Sequence, residues 1–267
     1  MPGNTKQLRV RIKSVSSTLQ LTKAMGLVAS SKIRRANEAM FKGREYLAAL
    51  ENSIELLSAD KDCQKSPYMQ IRDSGGTRLI IIAGDRGLAG GYNANVFRLA
   101  KEYPEAEFLP IGKRACERFG KMVVSSEHFT FDDALEMASE LCEDFTNGEY
   151  DRLGIISTKY NSVMSQEPYV KWILPFTKSE RADTNGVVFE PDQLTVLNNV
   201  VREYVAGVIT VLVRESFASE VAARRMAMDS AGKNAKEMID NLQLEYNRAR
   251  QSAITQEITE IVAGSGE

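Results

Sequence analysis

The stretch GDRGLAGGYNAN, residues 84–95, follows the apolar run RLIII and places glycines at 84, 87, 90 and 91. Glycines between a strand and a helix can let backbone N–H groups cradle a phosphate. Here the spacing fits neither GxGxxG nor GxxxxGK followed by Ser or Thr, and Asp85 sets a negative charge against any phosphate. The loop is therefore read as a tight strand-to-helix connection needing positive φ, with Asp85 and Arg86 at its tip as a docking surface. Other chemistry is equally thin. His128 is the only histidine, so no Ser/His/Asp, Cys/His or multi-histidine constellation can be assembled. Cys63, Cys116 and Cys142 are widely separated and odd in number, which reads as neither a disulfide framework nor a zinc site and implies a reducing compartment. No catalytic residue, cofactor or metal ligand is expected.

With 267 residues, 43% of them hydrophobic, the chain can bury one large core or two small ones. Thirty-four Lys and Arg against 36 Asp and Glu give no global pull toward nucleic acid or anionic lipid. The first 45 residues differ, with ten basic side chains against Glu38 and Glu45, so this segment should seek acidic company. No run of 18 apolar residues and no apolar signal core are read, so a cytosolic, non-spanning chain is expected.

Those loops need a frame, and the chain's ends supply it. From Leu8, alternate steps of four and three meet Ile12, Val15, Leu19, Thr22, Gly26, Ala29, Ile33, Ala36, Met40, Gly43, Leu47, Leu50, Ile54 and Leu57, a heptad seam without an interrupting proline. A second helix opens at Pro191 and Asp192, suited to a first turn, and runs to about Gly264. Leu194, Leu197, Val201, Tyr204, Val208, Val211, Ala218, Val221, Ile239, Leu242, Tyr246, Ala249, Ala253, Ile258 and Ile261 hold helical spacing, with Gly232 the weak point. At 1.5 Å per residue the helices would be about 80 Å and about 105 Å long, against about 47 Å across for a sphere of this many residues. An antiparallel pair projecting past a globular part is expected.

Between them, strands at RLIIIAG, EFLPIG, MVVS, RLGIISTKY and YVKWILPF alternate with helices near 93–103, 113–120 and 132–147. That alternation predicts an α/β layer sandwich, largely parallel. The division expected is a helix over 1–60, a Rossmann-like α/β domain with its connecting loops over 61–190, and a helix over 191–267. The connections DKDCQKSPYMQIRDSGG and TKSERADTNGVVFEPD read as polar links.

LTKAMGLVASSKIRRA, GDRGLAGGYNAN and EYNRARQSAITQEITEIVAG, in this order over essentially the whole chain, resemble the gamma subunit of the rotary ATP synthase, in its bacterial form. The resemblance implies a non-catalytic central stalk that couples ion-driven rotation of a membrane c-ring to ATP synthesis or hydrolysis in beta subunits. Its partners would be a hexamer of alpha and beta subunits, an epsilon subunit and the c-ring, at the cytoplasmic face of the plasma membrane, with no cofactor and only indirect membrane contact. By motif position, Arg250, Gln251, Thr255, Gln256 and Glu257 would meet the beta subunit, as would Met25, Arg86 and Ala89, the last standing where the family usually has cysteine. Phe189 and Glu190 would lie at the foot near epsilon and the ring. The ending AGSGE lacks the longer alanine-rich tail of relatives, and no close cysteine pair suggests the chloroplast thiol switch.

Two other readings compete. A nucleic-acid-binding coiled-coil arm predicts basic residues on both helices, yet residues 236–267 carry six acids against Lys236, Arg248 and Arg250. A Rossmann-type enzyme with helical extensions would need the glycine loop to hold a nucleotide.

Overall fold

The computed structural model describes residues 2–72, 75–120, 124–179 and 189–264. Its two long helices are α1, Pro2–Ala59, and α5, Gln193–Gly264. Every seam position of α1 from Leu8 to Leu57 is buried or half-buried, so the 3.5-residue period did mark the packed face. The α5 start is fixed by Asp192, whose carboxylate accepts the Thr195 N–H at 2.9 Å and its hydroxyl at 2.8 Å. Pro191 stands ahead of that cap instead of inside the first turn.

Four strands and three shorter helices lie between: β1, Gly76–Ile82; α2, Tyr92–Ala100; β2, Glu107–Ile111; α3, Lys113–Phe119; α4, Phe131–Asn147; β3, Tyr150–Tyr160; and β4, Gln166–Leu174. Of the strand expected at MVVS, residues 122 and 123 lie outside those described, and Val124 and Ser125 are in irregular structure. The sheet runs β2-β1-β3-β4, with β1 parallel to β2 and β3 and β4 antiparallel to β3. Leu79 to Ile82 are all fully buried, as a strand covered on both faces requires. Leu79 and Ile81 face α2 and α3 through Val96, Ala100 and Ala115. Ile80 and Ile82 join the larger core with Leu141 and Phe145 of α4, Leu47 and Ile54 of α1, and Val205 and Val208 of α5. An 18-residue stretch of α5 is apolar enough to cross a membrane, but 67% of it is buried inside the protein, as in a core helix.

The first polar link is part of this core. Cys63 and Ser66 are fully buried in two 3-10 turns, Cys63–Lys65 and Pro67–Met69. Tyr68 stacks on Phe145 at 5.9 Å, and the Ser66 hydroxyl donates to Asn198 Oδ1 at 2.7 Å. Hydrophilic composition hid a packed segment because the partner of its buried hydroxyl lies far along the chain.

The chain divides into two compact units, one of residues up to Ser30 with those from Arg224 onward, the other Ser31–Ala223. In the first, α1 and α5 pair antiparallel. Arg9 donates to the Tyr246 phenol at 2.8 Å, Gly26 faces Met228, and Gly232 faces Leu19 and Thr22. Each step forward on α1 is thus a step back on α5, and Pro2 comes level with about position 253. Beyond that level the expected seam fails: Ile258 is 56% exposed and Ile261 69%.

In the second unit β3 outruns β1, whose register ends at Ile81 opposite Ile156. The backbone of Thr158 and Tyr160 is completed by helix side chains instead. Thr158 N–H donates to Ser216 Oγ at 3.1 Å, and Tyr160 N–H to Glu215 Oε1 at 2.9 Å. Ser219 donates to the Thr158 carbonyl at 3.2 Å, and Arg44 of α1 to the Tyr160 carbonyl at 3.0 Å. Arg44 also pairs with the buried Glu215 at 2.6 Å.

Two glycines predict opposite outcomes. A Cβ on Gly232 would sit 3.6 Å from Thr22 Oγ1, ordinary contact, so Gly232→Ala should raise stability by up to about 1 kcal/mol. Gly112 has φ 96° and a Cβ there would lie 1.9 Å from the Ala83 carbonyl oxygen, so Gly112→Ala should cost about 3 kcal/mol or more. Denaturant melts of the two variants check both signs.

Candidate interaction surfaces

The glycine loop joins β1 to α2. Positive φ falls at Gly90, 58°, and at Leu88, 61°, which is not a glycine. Gly84 serves close approach, since a Cβ there would meet the Glu220 carboxyl carbon of α5 at 2.6 Å. Asp85 is not a docking tip. Its carboxylate turns inward and accepts from Lys113 N–H at 3.0 Å, Ser125 Oγ at 2.7 Å, and the N–H groups of Ser126 and Glu127, each at 3.0 Å. Partial burial works against its charge, but the hydroxyl and three N–H donors outweigh that and hold its pKa below the ordinary carboxylate value. Asp85 thus spends its carboxylate on donors outside the glycine loop, tying that loop to the start of α3 and to residues 125–127.

Asp85 fixes the turn that carries Glu127. One Glu127 oxygen pairs with Lys32 of α1 and the other with Arg86 Nη2 at 3.2 Å. Burial opposes the Glu127 charge, but the Lys32 and Arg86 cations prevail and lower its pKa. Arg86 is 62% exposed, whereas Ala89 is 3% exposed beside Leu88 at 63%. Of the expected contact residues in this loop, the chain presents Arg86 and covers Ala89.

Met25 is half-buried on α1, with Leu21, Leu27 and Val28 exposed around it. On α5, Arg250, Gln251, Thr255, Gln256 and Glu257 are all exposed. Helical geometry puts Arg250 and Glu257, seven apart, on one face and Gln251 and Thr255, four apart, on the next. Gln256 lies apart from both and donates to Glu260 at 2.9 Å, so the five encircle the helix instead of lining one face. Between the two polar faces run Ile254, Ile258 and Ile261, with Val262 on the Gln251 and Thr255 face, 46% to 69% exposed. Ala249 and Ala253, on the spacing of the expected seam, are half-buried, and Ser252 between them is exposed. At the start of α5, Phe189 packs against the large core and Glu190 is exposed.

A family profile described as ATP synthase matches residues 4–266. The chain is 40% identical over 281 residues to the ATP synthase gamma chain of Ruminococcus albus, covering 98% of both. It is 37% identical over 298 residues to the sodium ion specific ATP synthase gamma chain of Acetobacterium woodii, covering 99% of both. Among solved structures, a rotor chain of the Euglena gracilis mitochondrial ATP synthase superposes with TM-score 0.69 at 18% identity, over 95% of this chain and 100% of that one. A chain from the central stalk and c-ring of the Tetrahymena thermophila enzyme gives 0.63 at 23%, over 79% and 99%.

Asp85→Ala strands three backbone donors and should cost about 1 to 3 kcal/mol at neutral pH. Because folding lowers the Asp85 pKa, its contribution is complete above the ordinary carboxylate pKa of about 4 and fades as pH falls through the lowered value. Denaturant melts at several pH values should show the gap between wild type and variant narrowing only in acid.

Proposed function

Since the chain belongs to the ATP synthase gamma-chain family, we propose that it is the central rotor stalk of that enzyme, a subunit of a membrane-associated complex that itself performs no catalysis. It couples ion-driven rotation of the c-ring to conformational change in the catalytic beta chains. The observation that carries the mechanical reading is the unit built only from the two helix ends, whose α5 tip carries an exposed apolar stripe. That tip turns within a hexamer of alpha and beta chains, and the α/β unit seats toward epsilon and the ring at the cytoplasmic face. In this reading the chain works as a helix at each end with an α/β domain between.

A shaft must resist twisting, and the α1–α5 seam supplies two interlocked helices instead of one. Its outer surface must be held and released three times per turn. Exposed ion pairs worth about 0 to 1 kcal/mol each allow this, and the excess of basic residues on α1 offers them to acidic beta-chain loops. One asymmetric shaft then shows a different face to each of three identical sites and biases the open or closed population of each.

Arg250 and Gln251 would hydrogen-bond a beta-chain loop, with Thr255, Gln256, Glu257, Met25 and Arg86 extending that contact, and Phe189 and Glu190 would contribute at the foot. Membranes extracted in mild detergent should yield the chain with alpha, beta and epsilon partners, and their reproducible absence would contradict the rotor role. Arg250→Ala with Gln251→Ala should leave the fold intact and lower coupled turnover about fivefold, the equivalent of one hydrogen bond of about 1 kcal/mol. Unchanged turnover would remove both from the mechanism.

A further inference from the structure

Within the unit Ser31–Ala223, α1 and α5 share a large apolar core with the sheet, and apolar contact is indifferent to direction. A ring of directional bonds crosses that contact. Arg44 Nη2 donates to the Tyr160 carbonyl at 3.0 Å and to Glu215 Oε1 at 2.6 Å, and the Tyr160 N–H donates to that same oxygen at 2.9 Å. Three residues thus close one ring through α1, α5 and β3. Glu215 is buried, so loss of Arg44 would leave it a buried charge without a cation. At this level α1 lies close against α5, because Gly43 has no side chain: a Cβ there would stand 3.3 Å from Val211 Cγ2. The end of β3 is held from α5 by further bonds, Thr158 N–H to Ser216 Oγ at 3.1 Å and Ser219 Oγ to the Thr158 carbonyl at 3.2 Å. From α1 it is held by Arg44 and, two turns earlier, by Asn37 Nδ2, which donates to the Tyr160 phenol at 3.3 Å.

We infer that Arg44 is a positioning residue for energy coupling: it fixes the rotational phase of α1 against β3 and α5, so that torque entering at the sheet reaches both helices at the same angle. The inference rests on the rotor reading, in which the two helices turn as one shaft. Without Arg44, α5 stays fixed to β3 by Ser216 and Ser219, while α1 keeps its apolar seat but loses the bonds that oppose its turning in that seat. One helix then lags the other under load. A lagging shaft shows each catalytic site a blurred face, the bias on its open or closed population weakens, and ATP is hydrolysed without its full measure of ion transport. Arg44 touches neither nucleotide nor ion and acts only through the angle of α1.

The test uses the assembled enzyme in sealed membrane vesicles, with ATP hydrolysis and ATP-driven ion uptake measured on the same sample, the uptake by a dye sensitive to membrane potential. Arg44→Gln is expected to keep hydrolysis near wild type and to lower ion uptake per ATP about fivefold, the low end of a typical coupling between sites. Arg44→Lys, which keeps a cation with three N–H donors, should recover most of that ratio. Ile54→Val, a core change on the same helix, should leave the ratio at the wild-type value even where it lowers the melting temperature. The inference is overturned if Arg44→Gln keeps the wild-type ratio, if Arg44→Lys is no better coupled than Arg44→Gln, or if Ile54→Val loses coupling equally, which would make the effect one of stability alone. If Arg44→Gln did not fold, Arg44→Met with Glu215→Gln decides instead, since it leaves no buried charge and keeps an acceptor for the Tyr160 N–H; a wild-type ratio there would also overturn the inference. A wild-type chain whose complex hydrolysed ATP with no ion uptake at all would overturn the rotor reading itself, an outcome distinct from uptake that ignores Arg44.

Discussion

A strand that runs past its neighbour leaves backbone donors and acceptors that the interior cannot leave unpaired. In this protein β3 outruns β1 by the span Ser157–Tyr160, and α5 completes it with Glu215, Ser216 and Ser219. Much else follows from that one debt. It sets polar side chains into a helix that is otherwise apolar nearly all round between Val201 and Ala222. It also fixes which face of α5 meets the sheet, since rotating the helix by one residue would leave Thr158 and Tyr160 unpaired and Glu215 a buried charge with no Arg44 beside it.

The same node ties four elements together. Arg44 of α1 bonds both Glu215 of α5 and the Tyr160 carbonyl of β3, and Tyr92 at the start of α2 donates to the Ser216 carbonyl at 2.9 Å. Directional bonds of this kind resist sliding and rotation in a way that apolar packing alone does not, since apolar contact is indifferent to direction. Where Leu50 of α1 packs on α5, glycine makes room: a Cβ on Gly207 would lie 2.5 Å from Leu50 Cδ1. Small residues set the distance between the helices and polar ones set their phase.

The long elements were legible because their signal is periodic. The heptad row of α1 and the alternation of strand and helix each repeat a pattern that few other structures satisfy, and the strand order with its antiparallel edge at β4 agrees with the largely parallel sheet expected. What stayed hidden depends on partners far away in sequence. Nothing near Asp85 announces that its acceptors are filled by residues 113 and 125–127. Leu88 takes positive φ although four glycines stand around it. The link through Cys63 and Ser66 looked solvated because composition does not show that a serine hydroxyl is spent on Asn198. The end of the seam was missed for another reason: Ile258 and Ile261 keep the right spacing, and only their exposure in the structure shows that they leave the packed face.

The inward Asp85 has one more consequence. A turn of this shape elsewhere recognises phosphate through free N–H groups, and a drive shaft working beside nucleotide sites would be disturbed if its own loop bound their ligands. With Asp85 anchored to residues 113 and 125–127, the loop instead serves as a rivet between the end of β1 and the segments that follow β2 and α3, and its carboxylate is a standing repulsion to any phosphate that approaches.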